Sequence, residues 1–147
     1  MKVKFNIAKQ FIEPFIQINA QQKNDDLIQL SDSIEKLTQS WLINGYQDHQ
    51  QFVLSLPHVV RFYTENNYVI CETDDQQKYR VKERIYFLNN QLPTKMFIQV
   101  SSSEIINTNK IDHFSLSQAG RYQINLTNGE LAYASRRFVK TIKEELS

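Results

Sequence analysis

The stretch that decides the fold is Leu126-Thr127-Asn128-Gly129-Glu130-Leu131-Ala132-Tyr133-Ala134-Ser135-Arg136-Arg137-Phe138-Val139. Asn-Gly between two apolar runs is a strong hairpin signal, because both residues tolerate the positive φ of a type I′ turn. A two-residue turn at Asn128-Gly129 sets Leu126 opposite Leu131 and Ile124 opposite Tyr133, one apolar face. The second strand runs into Ser135, a helix N-cap, and a tail with Phe138, Val139, Ile142 and Leu146 on one side. Two arginines, Arg136 and Arg137, open that helix. Its N-terminus carries partial positive charge, so each cation there costs about 0.3–1 kcal/mol. A phosphate reverses the sign, since free backbone N–H groups and two guanidinium groups then face an anion. Failing that, both arginines lie in solvent or pair with Glu130.

Working outward, residues 97–100 and 105–108 read as strands flanking Ser101-Ser102-Ser103. Alone, the three serines are a polar loop; beside a basic cluster their hydroxyls and backbone donors suit phosphate oxygens. Asn107 is expected to be structural, closing its strand. Residues 42–46 and 52–56 form a hairpin around Gln47-Asp48-His49, and 59–64 and 68–73 flank Glu65-Asn66-Asn67. Asp74-Asp75-Gln76-Gln77 turns the chain into a strand at 78–81. A helix with Ile85, Leu88 and Leu92 on one face follows and stops at Pro93. A further strand is expected around 111–116. On the strand at 78–81, Lys78, Arg80 and Lys82 alternate with Tyr79 and Val81. That is a basic stripe over an apolar face, equally suited to a solvated edge or to phosphate contact.

The first 40 residues differ. Alternation at 2–5 and 15–18 predicts two short strands flanking Pro14. Asn24-Asp25-Asp26 then starts a helix carrying Leu27, Leu30, Ile34, Leu37 and Trp41 on one face and fading near Ser40. This strand-helix extension is too small for a good core. It is expected to serve dimerisation or regulatory docking, with residues 41–147 as the main domain.

Hydrophobic content of 41%, with 9 Phe and 7 Tyr, supports an aromatic-rich β core, while a net charge of +1 argues neither for nor against nucleic acid. Basic groups concentrate late: residues 1–57 hold 5 basic and 6 acidic groups, residues 58–147 hold 12 and 10. Cys71 is the only cysteine, so no intrachain disulfide forms, and its apolar setting predicts a buried small hydrophobe. No signal-peptide pattern or membrane-length apolar run occurs, so a cytoplasmic protein is expected. His49, His58 and His113 are isolated, without ligand spacing, so no metal site is expected. Neither a glycine-rich phosphate loop nor a nucleophile with its base is legible, and the expectation is no enzyme, no cofactor and no small-molecule substrate.

From Trp41 to Leu146 the chain resembles the LytTR family of DNA-binding domains of bacterial transcription regulators. Its carriers are Arg61-Phe62-Tyr63-Thr64-Glu65-Asn66-Asn67-Tyr68-Val69, Tyr79-Arg80-Val81-Lys82, Phe97 through Asn107, Leu126-Thr127-Asn128-Gly129 and Ala134-Ser135-Arg136-Arg137-Phe138-Val139, in that order. The resemblance implies a mainly β (α+β) fold of packed sheets with short helices, in which loops rather than a recognition helix enter successive major grooves. It places Arg137 at a base-reading position after the last hairpin, Ser102 at one in the loop before the Ile105 strand, and Tyr68 near a third. Some positions depart from the pattern: Gln99 stands where arginine is frequent, and Glu104 where an aromatic residue is frequent. The short hydroxyl of Ser102 discriminates bases less than a bidentate side chain. Phosphate contacts are expected from Arg136, Arg80, Lys82, Lys110, Ser101 and Ser103.

The partners implied are double-stranded DNA, a second copy of the chain in a homodimer, and a membrane-bound protein that restrains stand-alone members. Forty residues are too few for a receiver domain, so input by phosphorylation is not expected. The rival reading is a non-catalytic protein-interaction module whose basic residues only confer solubility.

Overall fold

A computed structural model of the chain describes residues 1–12 and 15–147. It divides into two compact units, residues 1–37 and 38–147. The first is dominated by helix α1 (Asp25–Gln39). Asn24 caps it, its Oδ1 accepting from the Leu27 N–H at 2.9 Å, and Asp25 and Asp26 complement the positive end. Leu27, Leu30 and Ile34 share a face, yet no residue of α1 is buried. The strands expected at 2–5 and 15–18 do not form; among the described residues none precedes Leu42, and Pro14 lies outside them. Alternation specifies a strand only where a neighbour takes its backbone hydrogen bonds, and Val3, Phe5 and Phe15 remain exposed.

The second unit runs β1 (Leu42–Gln47), β2 (Gln50–Ser55), β3 (Val59–Glu65), β4 (Tyr68–Thr73), β5 (Lys78–Val81), α2 (Ile85–Gln91), β6 (Phe97–Ser101), β7 (Glu104–Asn107), β8 (Ile111–Leu116), β9 (Tyr122–Leu126), β10 (Leu131–Ala134) and α3 (Arg136–Glu145). A seven-stranded sheet has the order β2-β1-β5-β4-β3-β7-β6, and a three-stranded sheet β10-β9-β8. Neighbours are antiparallel throughout. The two early hairpins turn on Asp48-His49 (φ 49° and 63°) and Asn66-Asn67 (φ 50° and 66°), the left-handed pairs that a two-residue type I′ loop requires. Gly45 is needed for close approach: a methyl group there would lie 2.6 Å from Leu54 Cδ1 and 2.8 Å from Tyr79 Cβ.

Each face of the large sheet has its own core. On one, Ile85, Leu88 and Leu92 of the α2 segment pack against Phe62, Cys71, Tyr79, Phe97 and Ile105. On the other, Val60, Ile98, Val100 and Ile106 meet Ile124, Leu126 and Ala132 of the small sheet and Ile142 of α3. A bulge between Val59 and Arg61 lets β3 serve both, turning Val59 and Phe62 to the first core and Val60 to the second. The single thiol, Cys71, is fully buried, and burial with Glu72 nearby pushes its pKa up to about 12.

The last hairpin forms with a register different from the expected one. Leu131 pairs with Asn125, Ala132 with Ile124 and Tyr133 with Gln123. Gly129 alone takes positive φ (85°); its N–H donates to the Leu126 carbonyl at 3.0 Å, and the Leu126 N–H donates to the Glu130 carbonyl at 3.0 Å. That is a three-residue loop ending in a left-handed glycine. Asn128 stays out of the left-handed region because its side chain is engaged, Oδ1 accepting from the Glu130 N–H and Nδ2 donating to Glu72. The one-residue slip turns Leu131 and Tyr133 outward and Ala132 inward.

Candidate nucleic-acid interface

Sheet topology alone brings the β3–β4 turn, the β6–β7 turn and the end of β5 to one end of the large sheet. Glu65 pairs with Tyr68, Tyr63 with Glu104, and Val69 with Val81, so Asn66-Asn67, Ser102-Ser103 and Lys82 share that end. Two backbone hydrogen bonds tie the neighbouring elements together. The Thr64 N–H donates to the Ser103 carbonyl at 3.0 Å, and the Ser135 N–H donates to the Val100 carbonyl at 3.0 Å. The second is possible because β6 bulges between Gln99 and Ser101, leaving the Val100 carbonyl without a partner strand. The start of α3 is thereby fixed beside the serine turn.

Within the turn, Ser101 and Ser103 hold the backbone. The Ser103 N–H donates to Ser101 Oγ at 3.2 Å, the two hydroxyls lie 3.3 Å apart, and Gln99 Nε2 donates to the Ser101 carbonyl at 3.0 Å. Ser102 is exposed at the tip. Arg136 and Arg137 occupy the first turn of α3, are exposed and have no carboxylate partner among the described residues; the Arg137 guanidinium lies 4.7 Å from the Phe138 ring centre. Glu130, the alternative partner, instead faces Arg61 at 3.7 Å. Ser135 sits at the N-cap position but its side chain makes no capping hydrogen bond, so the first-turn N–H groups gain nothing from it.

Tyr68 opens β4 half exposed, with the Arg80 guanidinium over its ring at 3.5 Å. Lys82 lies 4.7 Å from the Tyr46 ring centre. Lys78 is raised above the usual lysine value, mainly by a hydrogen bond to the Tyr63 phenol. Cation–π contacts of this kind hold long basic side chains flat on the sheet without neutralising them. Lys110 is not brought to this end. It follows β7 at the opposite end, where its Nζ donates to Asp74 Oδ2 at 3.2 Å. Burial would raise the Asp74 pKa, but His58 at 3.0 Å and Lys110 outweigh it and hold it below the usual aspartate value.

Sequence reasoning missed the group that braces this end from beneath. Arg61 Nε donates to Glu72 at 2.8 Å, and its Nη1 donates to Glu104 at 3.1 Å and to the Leu131 carbonyl at 3.2 Å. Only 11% of the Arg61 side chain is exposed, with 5% for Glu72 and 14% for Glu104. Burial would lower the Arg61 pKa, yet the hydrogen bond and charge of Glu72, with Glu104, leave it raised. Burial raises Glu104 above the usual glutamate value, opposed by Arg61 and reinforced by Glu72. The cluster joins β3, β4, β7 and β10, and Asn128 Nδ2 donates to Glu72 Oε1 at 2.8 Å from the last hairpin. Asn107, by contrast, behaves as expected: fully buried, it donates to the Val59 carbonyl and accepts from the Asn109 N–H.

The turns gathered at this end stand on a β scaffold, not on a helix pair. Residues 49–147 match the LytTr DNA-binding domain family, and the chain belongs to that family. It is 34% identical, over 100% of its length and 99% of the relative's, to an uncharacterised HTH-type transcriptional regulator of Staphylococcus aureus (strain MRSA252). A counterpart from strain NCTC 8325 is 33% identical over the same shares. A solved LytTr DNA-binding domain of a protein described as a methyl-accepting/DNA response regulator, from Bacillus cereus, superposes with a TM-score of 0.68. It covers 72% of this chain and 96% of its own at 15% identity, a likeness of fold. The helix-turn-helix in the relatives' names has no counterpart among the described residues, where β-strands separate every pair of successive α-helices. No described helix is long and apolar enough to cross a membrane.

Proposed function

We propose that the protein is a sequence-specific transcription regulator that grips promoter DNA with the turns at one end of its large sheet. The observation that carries this is the pair of exposed arginines at the α3 N-terminus, without a carboxylate partner among the described residues and locked beside an exposed serine turn by the Ser135–Val100 hydrogen bond. Cations are unfavourable at that position unless an anion arrives, and duplex DNA supplies one. In this reading Arg137 reads a base edge in one major groove, and Ser102 and Tyr68 are lesser readers in the adjoining one. Arg136, Arg80 and Lys82 hold phosphates, and Ser101 and Ser103 support the turn and add hydroxyl contacts to the same backbone. Lys110 has no part, being at the far end and paired with Asp74.

The protein acts by binding alone, without catalysis, in the cytoplasm, and as a homodimer. The half-exposed Leu27, Leu30 and Ile34 face of α1 supports a docking role for the N-terminal unit, with a second copy or a restraining membrane-bound protein as its partner.

The test is binding to the duplex upstream of the protein's own gene against a scrambled duplex, at low and near-physiological salt. Wild type should prefer its own promoter at both. Arg137→Ala should lower that preference by about 1–3 kcal/mol, the worth of a bidentate arginine–guanine contact. An unchanged ratio would remove Arg137 from the site. Binding to neither duplex would favour the interaction module.

A further inference from the structure

A cleft of about 580 Å³ opens between the β8–β9 turn and α3. Its wall carries Arg121, Arg136 and Lys143 with Tyr122, Tyr133 and Val139, and no acidic side chain. Arg136, Val139 and Lys143 follow one another on one face of α3, so the two end cations stand about 10 Å apart along the helix axis. From the opposite wall come Arg121, whose guanidinium lies 5.3 Å from the Tyr133 ring centre, and Tyr122, whose ring centre lies 5.5 Å from Lys143 Nζ. Among the described residues none of the three cations has a carboxylate partner, whereas Lys140, on a neighbouring face of α3, pairs with Glu144 at 3.9 Å. Three like charges converging on one concavity repel one another, and an anion relieves that repulsion. The cleft also includes Ser135 and Arg136, so it is continuous with the edge that carries Arg137.

We infer that this cleft is a phosphate-binding site, engaged by the DNA backbone flanking the bases read at the Ser102 and Arg137 edge. The inference rests on the DNA-binding reading above and extends the footprint past the turns, along α3 to Lys143. Arg121 and Lys143 hold phosphates, and the two tyrosine rings hold the cations in place.

The experiment compares wild type with the Arg121→Gln/Lys143→Gln and Arg121→Lys/Lys143→Arg double variants. Each is titrated with its promoter duplex and a scrambled duplex between 50 and 200 mM salt, after circular dichroism has confirmed folding. Two lost phosphate contacts make the slope of log affinity against log salt shallower by about 1.8, roughly a 12-fold smaller loss over that range. The promoter-to-scrambled ratio should stay unchanged, and the charge-keeping variant should retain the wild-type slope. A wild-type slope in the glutamine variant, or an equally shallow one in the charge-keeping variant, overturns the assignment while wild-type discrimination leaves the DNA-binding reading intact. Failure of wild type to bind either duplex overturns both. Pyrophosphate is titrated into the free protein by NMR as a second arm. Shifts confined to the cleft, with an unchanged DNA slope in the glutamine variant, would make a free phosphorylated ligand the occupant and overturn the DNA assignment.

Discussion

Replacing Arg61 with methionine tests whether the buried charge cluster braces the interface end of the molecule. The guanidinium donates to Glu72, Glu104 and the Leu131 carbonyl at 2.8, 3.1 and 3.2 Å, and is 11% exposed. At an effective dielectric near 20, charges about 4 Å apart attract by about 4 kcal/mol, and desolvating each ion costs several kcal/mol in return. The assembled cluster is therefore worth little net, but one-sided removal is not neutral. Methionine leaves Glu72 and Glu104 buried without the guanidinium that bridges them, and breaking a buried pair from one side costs about 3–5 kcal/mol. Against a domain stability of about 5–15 kcal/mol that is a large fraction.

The pH dependence has a definite sign. Glu104 already has a raised pKa in the fold, from burial outweighing Arg61, and losing Arg61 raises it further. An acid with a raised folded pKa binds protons preferentially when folded, so stability is lost as pH rises from 4.5 through the folded value. The deficit of the variant should thus be smaller at pH 5 than at pH 7. Urea unfolding followed by circular dichroism at both pH values measures it. A deficit under about 1 kcal/mol at pH 7, or one that does not shrink toward pH 5, refutes the reasoning. Replacing Arg61, Glu72 and Glu104 together with apolar residues should recover most of the loss.

Gly45→Ala should lower the melting temperature through overpacking worth about 1–3 kcal/mol, since its methyl meets Leu54 and Tyr79; calorimetry checks this. Gly129→Ala should cost about 1–2 kcal/mol because φ there is 85°, and an NMR spectrum should show the perturbation centred on the β9–β10 loop. Asp74→Asn removes a carboxylate whose pKa is held down by His58 and Lys110 against its burial. Its stabilising effect is present above 3.8 and lost as pH falls through the folded value. The variant should therefore be less stable than wild type by under about 1 kcal/mol at neutral pH, with the gap closing in acid.

Local patterning made most of the β domain legible: the positions of the two early turns, the Ile85–Leu88–Leu92 face and the Pro93 stop are short-range signals, and the elements from β1 to β8 lie within a residue or two of their expected bounds. What failed depended on partners distant in sequence. The last hairpin slipped by one because Asn128 reaches Glu72, a contact no local rule contains. The N-terminal alternation did not become strands because no neighbour completes them. Arg61 was invisible as a brace because its three acids come from β4, β7 and the loop before β10. The candidate readers lay on turns and a helix start, where residue type alone is informative. Lys110, expected among the phosphate contacts, is carried by the topology to the opposite end.

The hydrogen bonds from Thr64 to Ser103 and from Ser135 to Val100 join the three reader-bearing elements through main-chain atoms only. Side-chain exchange at positions 68, 102 or 137 leaves both untouched. In the proposed complex the letters recognised are thus editable, while the interval between them is a fixed ruler belonging to the scaffold. A redesigned protein would acquire a new word of the same length and spacing. Changing that spacing would require rebuilding the β6 bulge itself.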